Sequence, residues 1–82
     1  MRMFVYILKS ESTNKYYCGQ TMDFDARIKR HNEGHEKYTK SGVPWLLVHK
    51  IKVRDRSEAI VLERKIKKRG IKRFLIDNLF GV

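Results

Sequence analysis

The segment Met3 to Leu8 constrains the fold more than any other part of this 82-residue sequence. Its six residues, Met-Phe-Val-Tyr-Ile-Leu, are all apolar or aromatic. Because no polar residue alternates with them, the run predicts a strand that is buried on both faces. A chain of this length is expected to form a single domain, which we place over residues 1–82.

A hairpin and a helix are predicted after this strand. Ser10 to Asn14 is a cluster of turn residues, and Tyr16-Tyr17-Cys18 then predicts the returning strand, with Gly19 at its end. Asp23 is a favourable N-cap for a first helix, which we expect to run to about Asn32. Gly34 is expected to stop this helix, and the polar residues 35–42 to form a surface loop.

The second half of the chain predicts one strand and two helices. Trp45 to Ile51 is the third strand, and Asp55 with Glu58 three residues later is a capping-box pattern for the second helix, which Gly70 closes. Lys72 to Phe80 predicts a third, shorter helix. The element order is therefore β-β-α-β-α-α, an α/β (α+β) sandwich with a three-stranded sheet covered by helices. From the residues alone, antiparallel pairing follows only for the hairpin.

The charge balance indicates an anionic partner. Lys and Arg number 19 against 9 Asp and Glu, so the formal net charge is +10. A field of this sign favours nucleic acid, because each neutralised phosphate releases counterions. Solubility alone is the alternative, and a membrane surface fits less well, since no free segment combines a basic face with a broad apolar one. A single cysteine, Cys18, excludes an internal disulfide, and with no signal-peptide pattern after Met1 we expect a cytoplasmic location.

The second helix carries a carboxylate on its apolar side. At about 100° per residue, Ala59, Leu62 and Ile66 form one stripe with Ile60 at its edge, and Glu63 falls inside that arc. A carboxylate facing a core is costly unless a cation or donors meet it. The alternatives are a buried ion pair, a residue at the rim of the core, or a metal ligand.

The first helix shows the same feature with the opposite charge. Phe24 and Ile28 define its inward stripe, and Arg27 and His31 lie four residues apart along one edge. Separately, an arginine here is typical of a surface residue whose stem packs on the core, and the histidine of a structural hydrogen bond. The hairpin adds Tyr6, which together with a second tyrosine, Tyr17, needs hydroxyl partners if buried.

As a set, these side chains suit the cleavage of a phosphodiester. A tyrosine can take a proton from water once nearby cations lower its ordinary pKa of about 10. Arg27 can bind non-bridging oxygens, His31 can orient groups or shuttle a proton, and Glu63 can hold one Mg²⁺ or Mn²⁺. The lack of an Asp/Glu cluster argues against a two-metal nuclease.

The sequence resembles the GIY-YIG nucleases over nearly its whole length. Phe4-Val5-Tyr6 and Tyr17-Cys18-Gly19 look like the two halves of the family signature, with Arg27, His31 and Glu63 following in the family's order. The similarity is greatest to the small, stand-alone UPF0213-like branch, where Lys37-Tyr38-Thr39 and Ser57-Glu58-Ala59 are also familiar stretches. This resemblance implies a small sandwich with a three-stranded antiparallel sheet.

The resemblance also implies roles for the site residues. Tyr17 would be the general base with Tyr6 beside it, Arg27 would stabilise the phosphate, His31 would assist proton transfer, and Glu63 would coordinate one divalent metal. Asn78 matches a position where some relatives use asparagine. Two other positions depart from the family pattern: Gln20 stands where several family nucleases have lysine, and Phe4 replaces the first signature glycine.

A strongly basic segment follows Glu63. Seven of the ten residues from Arg64 to Arg73 are basic, and we expect most of them to form an outward ridge that contacts backbone phosphates: Arg64, Lys65, Lys67, Lys68, Arg69, Lys72 and Arg73. The alternatives are a solvated helix face or a nuclear-targeting patch. Tyr38 and His35 are candidates to stack on unpaired bases, and so is Trp45, although Trp45 fits a core position better.

The leading hypothesis is therefore a metal-dependent endonuclease of low sequence specificity that acts on DNA rather than RNA, with structured or single-stranded DNA as candidate substrates. A nucleic-acid-binding module without catalysis is the alternative from another class. A third hypothesis is a nuclease subunit that becomes active only when a protein partner supplies specificity.

Overall fold

The computed structural model describes residues 3–80, with side chains up to Asn78, and its elements follow the predicted order. Strand β1 (Met3–Ser10) and strand β2 (Tyr16–Thr21) form the hairpin, and helix α1 (Phe24–Asn32) follows. After a short 3-10 turn at Lys40–Gly42 come strand β3 (Trp45–Val53), helix α2 (Arg56–Arg69) and helix α3 (Ile71–Leu75), which continues into a π-helical turn at Ile76–Phe80. No helix among the residues described is long and apolar enough to cross a membrane.

The sheet has β1 at its centre. Its strand order is β2-β1-β3 and both pairings are antiparallel, which confirms the predicted fold. Along β1 the side chains alternate between two cores, as the pleat of a strand requires. Val5 and Ile7 pack with Ala59 and Ile66 beneath α2 and α3. On the opposite face, Tyr6 packs in a second core whose other members are Leu8 and Trp45, with Phe24 and Ile28 of α1 against them.

The helix caps form as predicted. The Asp23 carboxylate accepts a hydrogen bond from the Ala26 N–H at 3.1 Å, and that of Asp55 accepts one from the Glu58 N–H at 2.9 Å. Gly34 follows the end of α1 with a φ of 77°, and Gly70 follows α2 with a φ of 96°. These conformations favour glycine because they lie in the left-handed region, so both stop signals are confirmed.

The predicted bounds of four elements were wrong. Each strand is longer than predicted: β1 continues beyond Leu8 to Ser10, β2 beyond Gly19 to Thr21, and β3 beyond Ile51 to Val53. The third helix begins at Ile71 and loses its α geometry after Leu75. The predicted loop over residues 35–42 also contains a buried side chain, Thr39. In the third helix, hydrophobic spacing continues beyond the point where the hydrogen-bond pattern changes, so periodicity alone could not locate that change.

Gly19 is a position of close approach rather than a turn. It pairs with Tyr6 across the β1–β2 ladder, and the ring of Tyr6 lies directly over it. A Cβ atom at Gly19 would lie 2.6 Å from Tyr6 Oη and 2.8 Å from Tyr6 Cζ. Glycine is therefore needed here because any side chain would collide with the phenol.

We predict that Gly19→Ala destabilises the protein by about 1–3 kcal/mol, the usual range for overpacking a well-filled core. Urea unfolding followed by circular dichroism measures this change in the free energy of unfolding. Thr21→Ser is the matched control, because Thr21 lies on the same strand and the same face but is partly exposed, and serine keeps the hydroxyl that bonds to the Asp23 backbone. Equal stability of Gly19→Ala and the unaltered protein would contradict the close approach.

Candidate active site

A cleft of about 570 Å³ lies along the outer edge of β2, where the two faces of the sheet meet. Tyr17 and Gln20 come from β2, Arg27 from α1, and Arg56 and Glu63 from α2. We call this space the cleft. Its position follows from the topology, because β2 is an edge strand and the two helical layers flank it on opposite sides. A cation from one layer and a carboxylate from the other therefore face the same space.

Tyr6 and His31 lie beneath the cleft in one chain of hydrogen bonds. Tyr6 Oη is 2.9 Å from His31 Nε2 and accepts a hydrogen bond from Arg27 Nε at 3.3 Å. His31 Nδ1 is 2.8 Å from Thr39 Oγ1, and that hydroxyl donates to the Glu36 carbonyl oxygen at 3.4 Å. Each ring nitrogen of His31 thus has one hydroxyl partner, Tyr6 Oη at Nε2 and Thr39 Oγ1 at Nδ1.

Burial keeps both of these groups neutral. Tyr6 and His31 are almost completely inaccessible to solvent. Desolvation raises the pKa of Tyr6 to about 12, although the hydrogen bond from Arg27 opposes this. Desolvation also lowers the pKa of His31, and the nearby Arg27 charge acts in the same direction. The pair contacts two side chains that line the cleft, Arg27 by a hydrogen bond and Tyr17 by ring packing.

Arg27 is held between two acceptors. Its Nε donates to Tyr6 Oη, and its Nη1 lies 3.2 Å from Glu36 Oε1. The hydrogen bond with Tyr6 raises the pKa of Arg27 further, and the Glu36 carboxylate adds to this, so the guanidinium stays charged. About a third of the side chain is exposed, and it lines the cleft. This geometry leaves the guanidinium oriented for an anion.

Tyr17 differs from Tyr6 in having an accessible hydroxyl. Its ring packs edge-on against His31 at 5.1 Å and against Trp45 at 6.2 Å between centroids. The Tyr17 hydroxyl makes no hydrogen bond with another described residue. Every buried polar side-chain atom of the described residues has a partner, so this oxygen is not fully buried. It is the phenol of the site that can meet a substrate directly.

Glu63 lies at the rim of the core and is paired. Its Oε2 is 2.8 Å from Lys67 Nζ, and its Oε1 accepts a hydrogen bond from Gln20 Nε2 at 3.3 Å. Gln20 in turn accepts a hydrogen bond from Arg56 at 3.5 Å. The hydrogen bond with Glu63 raises the pKa of Lys67. Of the three alternatives left open by the sequence, the position at the rim is the one observed, because the ion pair with Lys67 is exposed and not buried.

The donor set fits one hydrated divalent ion and not two. The described residues contain no group of three or more His, Cys, Asp or Glu side chains placed to share an ion. Mg²⁺ commonly binds through one or two carboxylates, keeps several waters and takes substrate phosphate as a further ligand. Glu63, one-fifth exposed at the cleft, meets that requirement if Lys67 gives way.

Asn78 lies apart from the cleft. Its Nδ2 donates to the Phe74 carbonyl oxygen at 2.7 Å, and it lines another cavity together with Lys65 and Lys68. The structure thus brings Tyr6, Tyr17, Gln20, Arg27, His31 and Glu63 together and leaves Asn78 outside this group.

The seven basic residues predicted as a ridge are all exposed, but they differ in their surroundings. Lys67 turns towards the cleft through its contact with Glu63, and Arg69 Nε forms an ion pair with Asp77 Oδ2 at 2.7 Å. The other five form no ion pair within the described residues: Arg64, Lys65, Lys68, Lys72 and Arg73.

Three contributors to the site were missed from the sequence. Arg56 lines the cleft because it lies seven residues, or about two turns, before Glu63 on α2, so helical spacing could have found it. Thr39 and Glu36 belong to a loop without periodicity. Their positions depend on tertiary contacts with His31 and Arg27, for which the sequence holds no local signal.

The structure thus places a phenol, a guanidinium and a carboxylate around one open cleft. Residues 2–73 match the model of the GIY-YIG catalytic domain. The chain belongs to the GIY-YIG family. This confirms the resemblance seen in the sequence, and membership of the family implies nuclease-type activity in general and a nucleic acid substrate.

Relatives support the same branch of the family. A UPF0213 protein of Staphylococcus haemolyticus is 42% identical over 65 residues, which is 78% of each chain, and a UPF0213 protein of Staphylococcus aureus has the same identity and coverage. The solution NMR structure of UPF0213 protein BH0048 of Bacillus halodurans is similar with a TM-score of 0.58 and 31% identity, covering 99% of this chain and 92% of that one.

We predict that stability falls when the pH is lowered below about 6.5, the ordinary histidine value. Because the pKa of His31 is lowered in the folded state, the unfolded chain binds the proton more readily and acid favours unfolding. Urea unfolding between pH 5 and pH 8 measures the slope. His31→Gln should flatten it, whereas His35→Gln, at an exposed position, should not. An unchanged slope in His31→Gln would contradict the buried neutral imidazole.

Proposed function

We propose that the protein is an endonuclease that hydrolyses phosphodiester bonds of DNA with low sequence specificity and with one Mg²⁺ or Mn²⁺ ion. The observation that carries this proposal is the convergence of three side chains from three elements on one cleft. These are Tyr17 of β2 with an accessible hydroxyl, Arg27 of α1 with a fixed guanidinium, and Glu63 of α2.

Tyr17 is the group we assign to proton removal from the attacking water. Its hydroxyl is accessible, whereas the Tyr6 hydroxyl is committed to His31 and burial holds the pKa of Tyr6 at about 12. A general base must lie within hydrogen-bond reach of the water, and of the two phenols only an accessible one meets that condition. The cationic groups of Arg27 and Arg56 line the same cleft as Tyr17.

Arg27 is the group we assign to the phosphate. A planar guanidinium forms paired hydrogen bonds to non-bridging oxygens and stabilises charge as it develops. Tyr6 accepts a hydrogen bond from Arg27 Nε and is itself hydrogen-bonded to His31. We therefore assign Tyr6 and His31 as positioning residues that act through Arg27. Catalysis in this scheme gains from orientation, because the guanidinium need not reorganise when the phosphate arrives.

Glu63 is the residue that would hold the divalent ion, which supplies charge neutralisation at the phosphate and at the leaving oxygen. The basic ridge is assigned to contacts with the DNA backbone, which position a substrate without reading its sequence. The described residues include no recognition helix or zinc site, which agrees with low sequence specificity.

A nuclease assay on plasmid and short duplex DNA with Mg²⁺ or Mn²⁺ tests the assignment. We predict that Tyr17→Phe lowers the rate by about 100- to 10,000-fold, the usual contribution of a general base. Arg27→Ala should cost about 100- to 1,000-fold, as for other groups that stabilise developing negative charge. Glu63→Gln should abolish the dependence on metal concentration along with most of the activity.

Matched control variants are available on the same elements. Tyr16→Phe changes the neighbouring tyrosine, whose ring lies on the other face of β2 under Lys9. Arg30→Ala removes the other α1 arginine that contacts Glu36, outside the cleft. Both controls should retain activity. If the three site variants cleave as fast as these controls, the activity belongs to a contaminant and the assignment is rejected.

One observation favours a second candidate, a nucleic-acid-binding module without catalysis. Both carboxylate oxygens of Glu63 are already engaged, by Lys67 and by Gln20, as in a purely structural pair. Such a module would bind DNA with strong salt dependence and cleave nothing at any metal concentration. Activity that appears only after a protein partner is added would instead indicate a nuclease subunit.

Either candidate predicts that the basic ridge controls the salt dependence of binding. Each phosphate contact contributes about 0.9 to the slope of log K against log salt concentration, so Lys68→Ala combined with Lys72→Ala should reduce the slope by roughly 2. Fluorescence anisotropy with a labelled duplex in EDTA measures it. Lys52→Ala, an exposed lysine on β3, is the control. An unchanged slope in the double variant would show that DNA lies elsewhere.

A further inference from the structure

A second, smaller cavity shares one wall with the cleft. It has a volume of about 190 Å³ and is lined by Lys15 and Tyr16 next to the hairpin turn, by Tyr38 and Ser41 of the loop after α1, and by Trp45 at its base. We call it the side cavity. The shared wall is Tyr17, whose ring lines both spaces. Any group in the side cavity is therefore separated by one side chain from a group in the cleft.

Tyr38 is the unusual member of this cavity. Its side chain is 91% exposed, although the next residue, Thr39, is 1% exposed. Thr39 is anchored twice, because its hydroxyl is 2.8 Å from His31 Nδ1 and its carbonyl oxygen accepts a hydrogen bond from Trp45 Nε1 at 2.7 Å. The backbone that carries Tyr38 is thus fixed to the core. Binding to the exposed ring therefore loses little additional backbone conformational entropy.

We propose that the side cavity binds one unpaired nucleobase of a DNA substrate whose neighbouring phosphate lies in the cleft. This rests on the proposed function, and it adds that the substrate has a single-stranded nucleotide beside the bond to be cut. Tyr38 offers a face for stacking, which tolerates any base. Lys15 gives the side cavity a positive charge, and the Ser41 hydroxyl lines the same cavity and is available for polar contacts with the base edge.

Size, charge and position favour this occupant. The cavity has room for one flat ring system and not for a base pair, so a base must leave its duplex partner to enter. No carboxylate lines it among the described residues, whereas a lysine does, and the whole chain carries a net charge of +10. The cavity adjoins the cleft across the single side chain of Tyr17, as the short distance between a base and its own phosphate requires.

Binding measured in EDTA tests this without requiring cleavage. The probes are a fluorescein-labelled flush duplex, the same duplex with a three-nucleotide single-stranded tail, and the tailed duplex with abasic sites in the tail. We expect Tyr38→Ala to weaken binding of the tailed duplex by about 5- to 100-fold, the range found when one stacking aromatic is removed. Binding of the flush duplex should change less than twofold, and Tyr38→Phe should behave as the unaltered protein.

Two comparisons separate stacking from other causes. Abasic tails should bind to the unaltered protein no more tightly than normal tails bind to Tyr38→Ala. Leu46→Ala is the control variant, because Leu46 is exposed and apolar but lines neither the cleft nor the side cavity. Circular dichroism of Tyr38→Ala verifies its folding, which removal of a side chain this exposed should not alter.

The outcomes distinguish this inference from the proposed function. Equal weakening of tailed and flush duplexes in Tyr38→Ala, or no weakening of either, overturns the inference even if the protein cleaves DNA. A tail preference that depends on Tyr38 in a protein that never cleaves supports the inference and rejects the nuclease assignment.

Discussion

The buried phenol of Tyr6 is the interaction on which the arrangement of the site depends. It lies on the central strand, over Gly19 of the neighbouring strand, and bonds to Arg27 and His31 of α1. A hydroxyl taken out of water costs free energy unless it is hydrogen-bonded, so the phenol requires these partners. One side chain of the central strand thereby contacts both β2 and α1.

The hydrogen bonds that begin at Tyr6 continue into the loop after α1. His31 bonds to the Thr39 hydroxyl, and the Thr39 carbonyl oxygen accepts a hydrogen bond from the Trp45 indole N–H. The α1 side of the molecule is thus organised by directional polar bonds, while the α2 side is packed by apolar contacts around Ala59 and Ile66. The cleft lies where these two differently built layers meet, which explains why its cation is rigidly held and its carboxylate sits at a rim.

The sequence predicted what depends on local physics. Caps at Asp23 and Asp55 and the apolar run of β1 specify their elements because each acts within a few residues. The end of β2 was wrongly predicted at Gly19 for a physical reason. A glycine can end a strand or can leave room for a ring that packs over it, and the sequence does not distinguish these until the facing residue is known. The grouping of Tyr17, Arg27 and Glu63 was expected from helical faces and family resemblance. The contributions of Glu36 and Thr39 required the tertiary structure.

The free protein already pairs the groups assigned to the phosphate and the ion. Arg27 faces Glu36 at 3.2 Å, and Glu63 faces Lys67 at 2.8 Å, with all four side chains partly exposed. Ion pairs of this kind contribute at most about 1 kcal/mol each, because water and salt screen them. When a phosphate displaces Glu36 from Arg27, the free energy lost with the ion pair is therefore small. The phosphate then binds a guanidinium whose orientation Tyr6 has already fixed. The two ion pairs neutralise the charges around the cleft and can still be displaced by a more highly charged ligand.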